Sequence, residues 1–271
     1  MSDTFVVVGI GYVGQRLVDN QAQESVIGLS RSTGFDLDAD DGVPFPLPAD
    51  YSLLYTVPPL QSFSNDVRIE RLIARLDPLP NRFVYISTTG VYGDCGGAMV
   101  DEGGPVNPGS DRARLRVAAE TSLQAWCEPN NVECVILRVP GIYGPGRLGI
   151  DRIRSGAANI QDSEANPGNR IHVDDLVSCC EAGLSKASPP GIYNVGDGDF
   201  RSATWFASEV ARQCGEPPPP EISFEDAKRE FSAMRMSFLR ESRRIDTRKM
   251  RDVLGVTPVY ANPEDGIKAS L

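Results

Sequence analysis

Two rhythms of apolar residues run along this chain. Short continuous apolar runs stand at Phe5 to Val8, Ser52 to Val57 and Arg82 to Ser87. Runs of this length, rich in β-branched and aromatic residues, read as strands buried on both faces, as in a parallel sheet. Glu24 to Ser30 and Gly191 to Gly196 read as two more strands. Between them, apolar residues recur at helical spacing. Ile69, Leu72, Ile73 and Leu76 do so in Asn65 to Leu76, and Leu115, Ala119, Leu123 and Trp126 do so in Asp111 to Cys127. Later helices are expected over Asp174 to Leu184, from Ser202 as cap to Cys214, and over Phe224 to Phe231. A last one runs from Arg248 to Leu254, capped by Asp246 or Thr247 and stopped by Gly255. Asp151 to Arg170 reads as a loop-rich insertion. Alternating strands and helices predict an α/β protein with a doubly wound parallel sheet.

The first strand is followed by Gly9, Gly11 and Gly14 at the spacing G-x-G-x-x-G, and then by a helix. Gly9 permits the tight turn, Gly11 removes the Cβ that would keep a pyrophosphate away, and Gly14 lets the helix pack closely on the strand. Tyr12 and Val13 belong to the same turn. The helix start offers unpaired N–H groups and a positive dipole end to phosphates. A strand before and a helix after are the context that makes this motif a dinucleotide cradle rather than some other glycine-rich turn.

The end of the second strand ordinarily carries a carboxylate for a ribose 2′-hydroxyl. Here it reads Ser30-Arg31-Ser32. A guanidinium flanked by hydroxyls suits a 2′-phosphate, so NADP(H) is favoured over NAD(H); a solvated arginine in a loop is the alternative. Asp36 and Leu37 fall where the adenine should pass, with an ordinary turn as the other reading of Asp36. Thr56, Val57 and Pro58 follow a sheet strand and should border the cofactor.

Composition narrows the partners. The 271 residues suffice for one large α/β domain with a smaller lobe. A net charge of −10 without a basic cluster argues against nucleic acid and anionic membranes. No apolar run approaches the ~20 residues of a membrane helix. The first strand begins at Phe5, which leaves no room for a signal peptide. Cys95, Cys127, Cys134, Cys179, Cys180 and Cys214 show no C-x-x-C spacing, and with His172 as the single histidine no metal site is expected. Reduced thiols in a cytoplasmic monomer or homodimer fit this usage. Pro217 to Pro220 reads as an extended surface spacer.

Hydroxyls cluster at the end of the strand Arg82 to Ser87, in Ser87-Thr88-Thr89-Gly90-Val91-Tyr92-Gly93. At the carboxyl end of a strand they can bind a carbonyl or alcohol, or simply cap the next turn. Together with the glycine turn, this stretch resembles the short-chain dehydrogenase/reductase superfamily. The nearer likeness is its extended branch, the NAD-dependent epimerase/dehydratase family. Ile136 to Gly146, Arg170 to Leu176 and Leu254 to Ile267 resemble later landmarks of that family, so the likeness spans nearly the whole chain.

The resemblance implies an NAD(P)-binding Rossmann core over 1–145, joined by 171–196, with 146–170 and 197–271 as a small substrate lobe. It puts Thr88 in the place of the catalytic Ser or Thr that orients the substrate oxygen. Pro140, Gly141 and Ile142 fall where the backbone meets the nicotinamide. The family's Tyr-x-x-x-Lys pair should stand eight and four residues before Glu120, and those places hold Arg112 and Arg116. No tyrosine lies between Tyr92 and Tyr143.

Arg116 can still donate to ribose hydroxyls, but neither guanidinium exchanges protons near neutral pH. Tyr92, Tyr143 and His172 remain as proton carriers, each with a structural role as its competing reading, and solvent is the other source. Arg112, Arg116, Arg138 and Arg147 together would make the pocket cationic, unless they are scattered surface residues. The expected function is an oxidoreductase or epimerase of atypical mechanism on a small substrate, anionic or a sugar nucleotide. The alternative is a catalytically silent NADP(H)-binding redox sensor.

Overall fold

The computed structural model describes residues 4–21, 25–39, 43, 46–60 and 65–271. The first half of the chain contains β1 (Phe5–Val8), α1 (Tyr12–Asn20), β2 (Val26–Leu29), β3 (Ser52–Tyr55), α2 (Val67–Ile73), β4 (Arg82–Thr88), β5 (Met99–Val100) and α3 (Asp111–Cys127). The second half begins with β6 (Glu133–Val139), β7 (Gly141–Tyr143), α4 (Ile150–Arg154), β8 (Asn159–Ile160), β9 (Arg170–His172), α5 (Val173–Leu184) and β10 (Gly191–Asn194). It ends with α6 (Ala203–Cys214), β11 (Glu221–Ile222), α7 (Phe224–Glu230), α8 (Ala233–Leu239), β12 (Arg244–Ile245), α9 (Arg248–Asp252) and α10 (Pro263–Ala269).

Six strands form one parallel sheet in the order β10-β6-β4-β3-β1-β2. Its centre explains the unbroken apolar runs. Successive strand residues face opposite sides, and both sides are covered. Val7, Leu54, Val84 and Val135 face Leu17 of α1 and Leu176, Val177 and Leu184 of α5. Val6, Leu53, Phe83 and Ile136 face Leu72 of α2 and Leu123 of α3. The chain moves outward from β1 to β2 and then returns to the other side of β1 to form β3. That reversal opens a crevice at the carboxyl ends of β1 and β3, the usual ligand position in such sheets.

Three two-strand ribbons of two or three residues complete the fold: β5 with β12, β7 with β9, and β8 with β11. The segment 151–170, expected as loop, carries most of α4 together with β8. Helices α8 and α10 were not expected. The second strand starts at Val26; Glu24, expected in it, lies outside the described residues. Ser202 caps α6, its Oγ accepting from Trp205 N at 2.9 Å. No helix among the described residues is long and apolar enough to cross a membrane.

Candidate functional site

The crevice beside the glycine turn has a volume of about 410 Å³. Gly9 has φ +100°, and a Cβ there would stand 2.5 Å from Thr56 Oγ1. A Cβ on Gly14 would collide with the Gly9 carbonyl oxygen, because α1 leaves the strand so tightly. Gly11 has open space where its Cβ would be, and it is the N-cap of α1 without any side-chain cap. The helix start is therefore bare and faces the crevice, which fits a pyrophosphate. Of the residues expected to hold a dinucleotide, Gly9, Gly11, Ser30, Arg31, Ser32, Asp36, Leu37, Thr56, Val57 and Pro58 line this crevice.

Arg68 also lines it and was missed. Its guanidinium binds Asp38, with Nε 2.8 Å from Oδ1, and that bond holds the Asp38 carboxyl below its ordinary value. Arg31 makes no such ion pair among the described residues. Ser30 Oγ and Ser32 Oγ lie 2.7 Å apart beside it.

Tyr12, Val13 and Gly14 are not on the wall. Val13 and Gly14 are buried under α1. Tyr12 turns toward the segment after β7, where its hydroxyl donates to Pro145 O at 3.0 Å and Arg147 stacks on its ring at 3.9 Å.

A second cavity, about 390 Å³, opens beyond the carboxyl end of β4. Because β3 and β4 are paired neighbours, the two openings share one edge of the sheet. Thr88, Arg112, Pro140 and Gly141 line it, as expected. Thr88 Oγ1 accepts from Gly90 N at 3.1 Å, which is the capping role; its proton has no acceptor among the described residues and can be donated into the cavity. The far wall was not anticipated. It is Phe238 and Leu239 at the end of α8, followed by Glu241 and Arg243. Asn166 and Asn169 pin that wall, donating to Leu239 O at 2.8 Å and to Arg243 O at 3.0 Å. A serine cap at Ser232 with Met236 and Leu239 three apart was the available signal for this helix.

Several expected site residues lie elsewhere. Tyr92 is buried in the core; its hydroxyl donates to Asn194 Oδ1 at 2.7 Å and accepts from Arg138 Nη1 at 2.9 Å. Burial raises its pKa, so this phenol is a structural hinge of the core rather than a proton carrier in the cavity. Arg116 lines neither opening. It donates to Ile86 O at 2.9 Å and to Tyr85 OH at 3.0 Å, beneath the end of β4. Ile142 packs its side chain against the core.

The cationic cluster is also corrected. Arg138 is buried, and its Nη2 meets Glu120 Oε2 at 2.7 Å. Ser87 Oγ donates to the same carboxylate. Arg147 is spent on Tyr12, and only Arg112 of the four reaches the cavity.

His172 and Tyr143 are structural. His172 Nδ1 accepts from Asp174 N at 3.2 Å at the start of α5, and burial lowers its pKa. Tyr143 lies edge-on to His172 and to Phe206, each at 5.2 Å.

Next to Ile160, which lines the second cavity, two guanidiniums converge with no carboxylate partner among the described residues. Arg152 Nη1 and Arg235 Nη2 both donate to Asn159 Oδ1, at 2.8 and 3.2 Å, and Arg152 Nη2 and Arg235 Nη2 both donate to Ala158 O at 2.7 Å. Burial, together with repulsion from Arg152, pushes the Arg235 pKa down to about 10. Such a pair suits an anion that neutralises both charges.

Residues 62–196 match the sequence model of the NAD dependent epimerase/dehydratase family. Among curated proteins, a UDP-glucose 4-epimerase from Mycolicibacterium smegmatis is 29% identical over 248 residues, 86% of this chain and 76% of that protein. A dTDP-glucose 4,6-dehydratase from Streptomyces niveus is 28% identical over 142 residues, 49% of this chain and 42% of that protein, so the match spans less than half the dehydratase. Among solved structures, a functionally unknown conserved protein from Silicibacter pomeroyi superposes with TM-score 0.80 at 29% identity, covering 98% of this chain and 97% of that one. Two structures share the fold at lower identity. MoeE5 in complex with UDP-glucose and NAD has TM-score 0.71 at 20% identity, covering 98% of this chain and 97% of its own. RMD from Pseudomonas aeruginosa complexed with NADPH has TM-score 0.75 at 17% identity, covering 99% and 98%.

Proposed function

We propose that this chain, which carries the NAD dependent epimerase/dehydratase signature over residues 62–196, is a nicotinamide-dependent enzyme acting on a small sugar nucleotide. The observation that carries this reading is the pair of openings on one sheet edge, one floored by Gly9 and Gly11 and the other headed by Thr88. A dinucleotide laid along the first would bring its reactive ring to the second. Bound there, the nicotinamide supplies hydride chemistry.

The protein's own part is to bind and orient. The bare start of α1 holds the diphosphate, and Arg31 with Ser30 and Ser32 holds a 2′-phosphate, which favours NADP(H). Thr88 orients the substrate oxygen through a hydrogen bond from its hydroxyl, and the Pro140-Gly141 backbone borders the ring. Arg152 and Arg235 receive the substrate diphosphate. Neither Arg112 nor Arg116 moves a proton, so solvent closes that balance at some cost in rate. Such a chain works as a cytoplasmic monomer or homodimer.

The Arg112 replacement favours a second reading, a silent redox sensor that binds NADP(H) without turnover. Calorimetry with NADPH, NADH and UDP-glucose, followed by deuteride transfer from labelled NADPH to a panel of keto sugars, separates the two. Micromolar coenzyme binding with transfer is expected for the enzyme. Binding without transfer supports the sensor, and absence of binding by either coenzyme overturns both.

A further inference from the structure

We propose that the cavity beyond Thr88 selects a substrate bearing a carboxylate, of the hexuronic-acid kind, and that Arg112 is its recognition residue. This rests on the sugar-binding reading of that cavity, and it adds the charge of the sugar.

Arg112 stands in the first turn of α3, where the helix dipole also favours an anion. Its guanidinium lies 4.2 Å from the centre of the Phe238 ring. A cation–π contact of this kind engages the face of the guanidinium and leaves its edge N–H groups for another partner, and those are the groups that pair with a planar carboxylate through two parallel bonds. No carboxylate among the described residues takes those bonds.

The cavity has a second guanidinium. Arg243 Nη1 is engaged by Gly93 O and by Glu241 Oε2, both at 2.7 Å, while its Nη2 makes no hydrogen bond among the described residues. Glu241 is the one carboxylate among the described residues lining the cavity, and it is already paired with Arg243. The lining thus carries two positive charges against one negative, within a chain of net charge −10. A neutral sugar would leave the Arg112 charge desolvated and unmatched, whereas an acid sugar neutralises it. Of the oxyanions, a carboxylate is favoured over a phosphate because the lining's net charge of +1 matches a monoanion, while a dianion would overshoot it beside Glu241.

The test uses the full chain without coenzyme. Arginine Nε–Hε resonances are followed by NMR during titration with free glucuronate, glucose or inorganic phosphate; the Arg112→Gln variant assigns the Arg112 signal. Glucuronate should shift the Arg112 signal and glucose should not, with the variant binding glucuronate at least about tenfold more weakly while keeping its melting temperature. Arg112→Lys should restore only part of the affinity, because the fork is lost. Equal binding of glucose and glucuronate, or tighter binding of phosphate at Arg112, overturns the proposal. A parallel calorimetric series with UDP, UDP-glucose and UDP-glucuronate separates the two levels. Loss of all UDP binding defeats the sugar-nucleotide reading while the free-acid titration still decides the carboxylate. UDP binding with no gain for the uronate defeats the carboxylate alone.

Discussion

Thr56 Oγ1 donates to the carbonyl oxygen of Gly9 at 2.7 Å, joining the end of β3 to the turn after β1. The bond holds the glycine carbonyl against the sheet, with the Thr56 hydroxyl in the space a Gly9 side chain would occupy. Gly9→Ala therefore meets a positive φ and a steric block together. Urea unfolding should show a loss of about 1–3 kcal/mol, and coenzyme binding should disappear with it. Retention of both would mean that the turn adapts freely.

The proposed preference for NADP(H) makes Arg31 the discriminator of the two coenzymes. Arg31→Asp removes a cation and introduces repulsion toward a 2′-phosphate, so NADPH affinity should fall by about tenfold or more while NADH changes little or improves. Equal changes for both, measured by tryptophan quenching, would assign Arg31 to solvent.

Thr88 has two tasks, capping the turn through its oxygen and offering its proton to the cavity. Thr88→Val should cost about 1 kcal/mol of stability from the lost cap, spare coenzyme affinity and abolish transfer of deuteride. Thr88→Ser should restore both the stability and the transfer. Undiminished transfer by the valine variant would remove Thr88 from the chemistry.

The Glu120–Arg138 pair is shut inside the core with Ser87 and Tyr92 around it. Removing one partner strands the other charge. Arg138→Met alone should destabilise by about 3–5 kcal/mol, whereas Glu120→Leu combined with Arg138→Met should recover much of that loss. Additive losses in denaturant midpoints would show that the pair is not coupled.

Asp197 sits past the end of β10 with its Oδ2 buried and without a hydrogen-bond partner among the described residues. Burial raises its carboxyl from 3.8 to about 7. A raised carboxyl binds its proton more tightly in the folded chain than in the unfolded one, so the folded state loses stability as pH climbs from about 4 through about 7. The expected loss is a few kcal/mol. In Asp197→Asn the slope across this window should flatten; an unchanged slope would place the titration elsewhere.

The core of the fold was legible because its signals are local and strong. β1, β3 and β4 are apolar on both faces, and the helix from Asp111 to Cys127 ends where its periodic stripe ends. Most of the crevice beside the glycine turn was equally legible, since its expected lining residues follow strands; Arg68, on α2, does not and was missed. The far wall of the second cavity was not. Ribbons such as β5 with β12 are two residues long and have no periodicity to read. Arginine side chains misled for another reason. Arg138 and Arg82 lie on strands and are buried by partners distant in sequence, Glu120 for the one and Ser188 and Gly183 for the other. Sequence position alone assigned them no partner, and Arg138 was counted as free charge.

The Tyr12 hydroxyl reaches across 133 positions of sequence to Pro145, at the exit from β7. The glycine turn and the strap leading out to α4 are thereby fastened to each other. A shift of α1 by a fraction of an ångström as phosphates settle would be transmitted directly to the arm that carries Arg147 and, one step on, Arg152. Under the proposed function this bond would couple the two ligands, and a Tyr12→Phe chain would bind them as strangers.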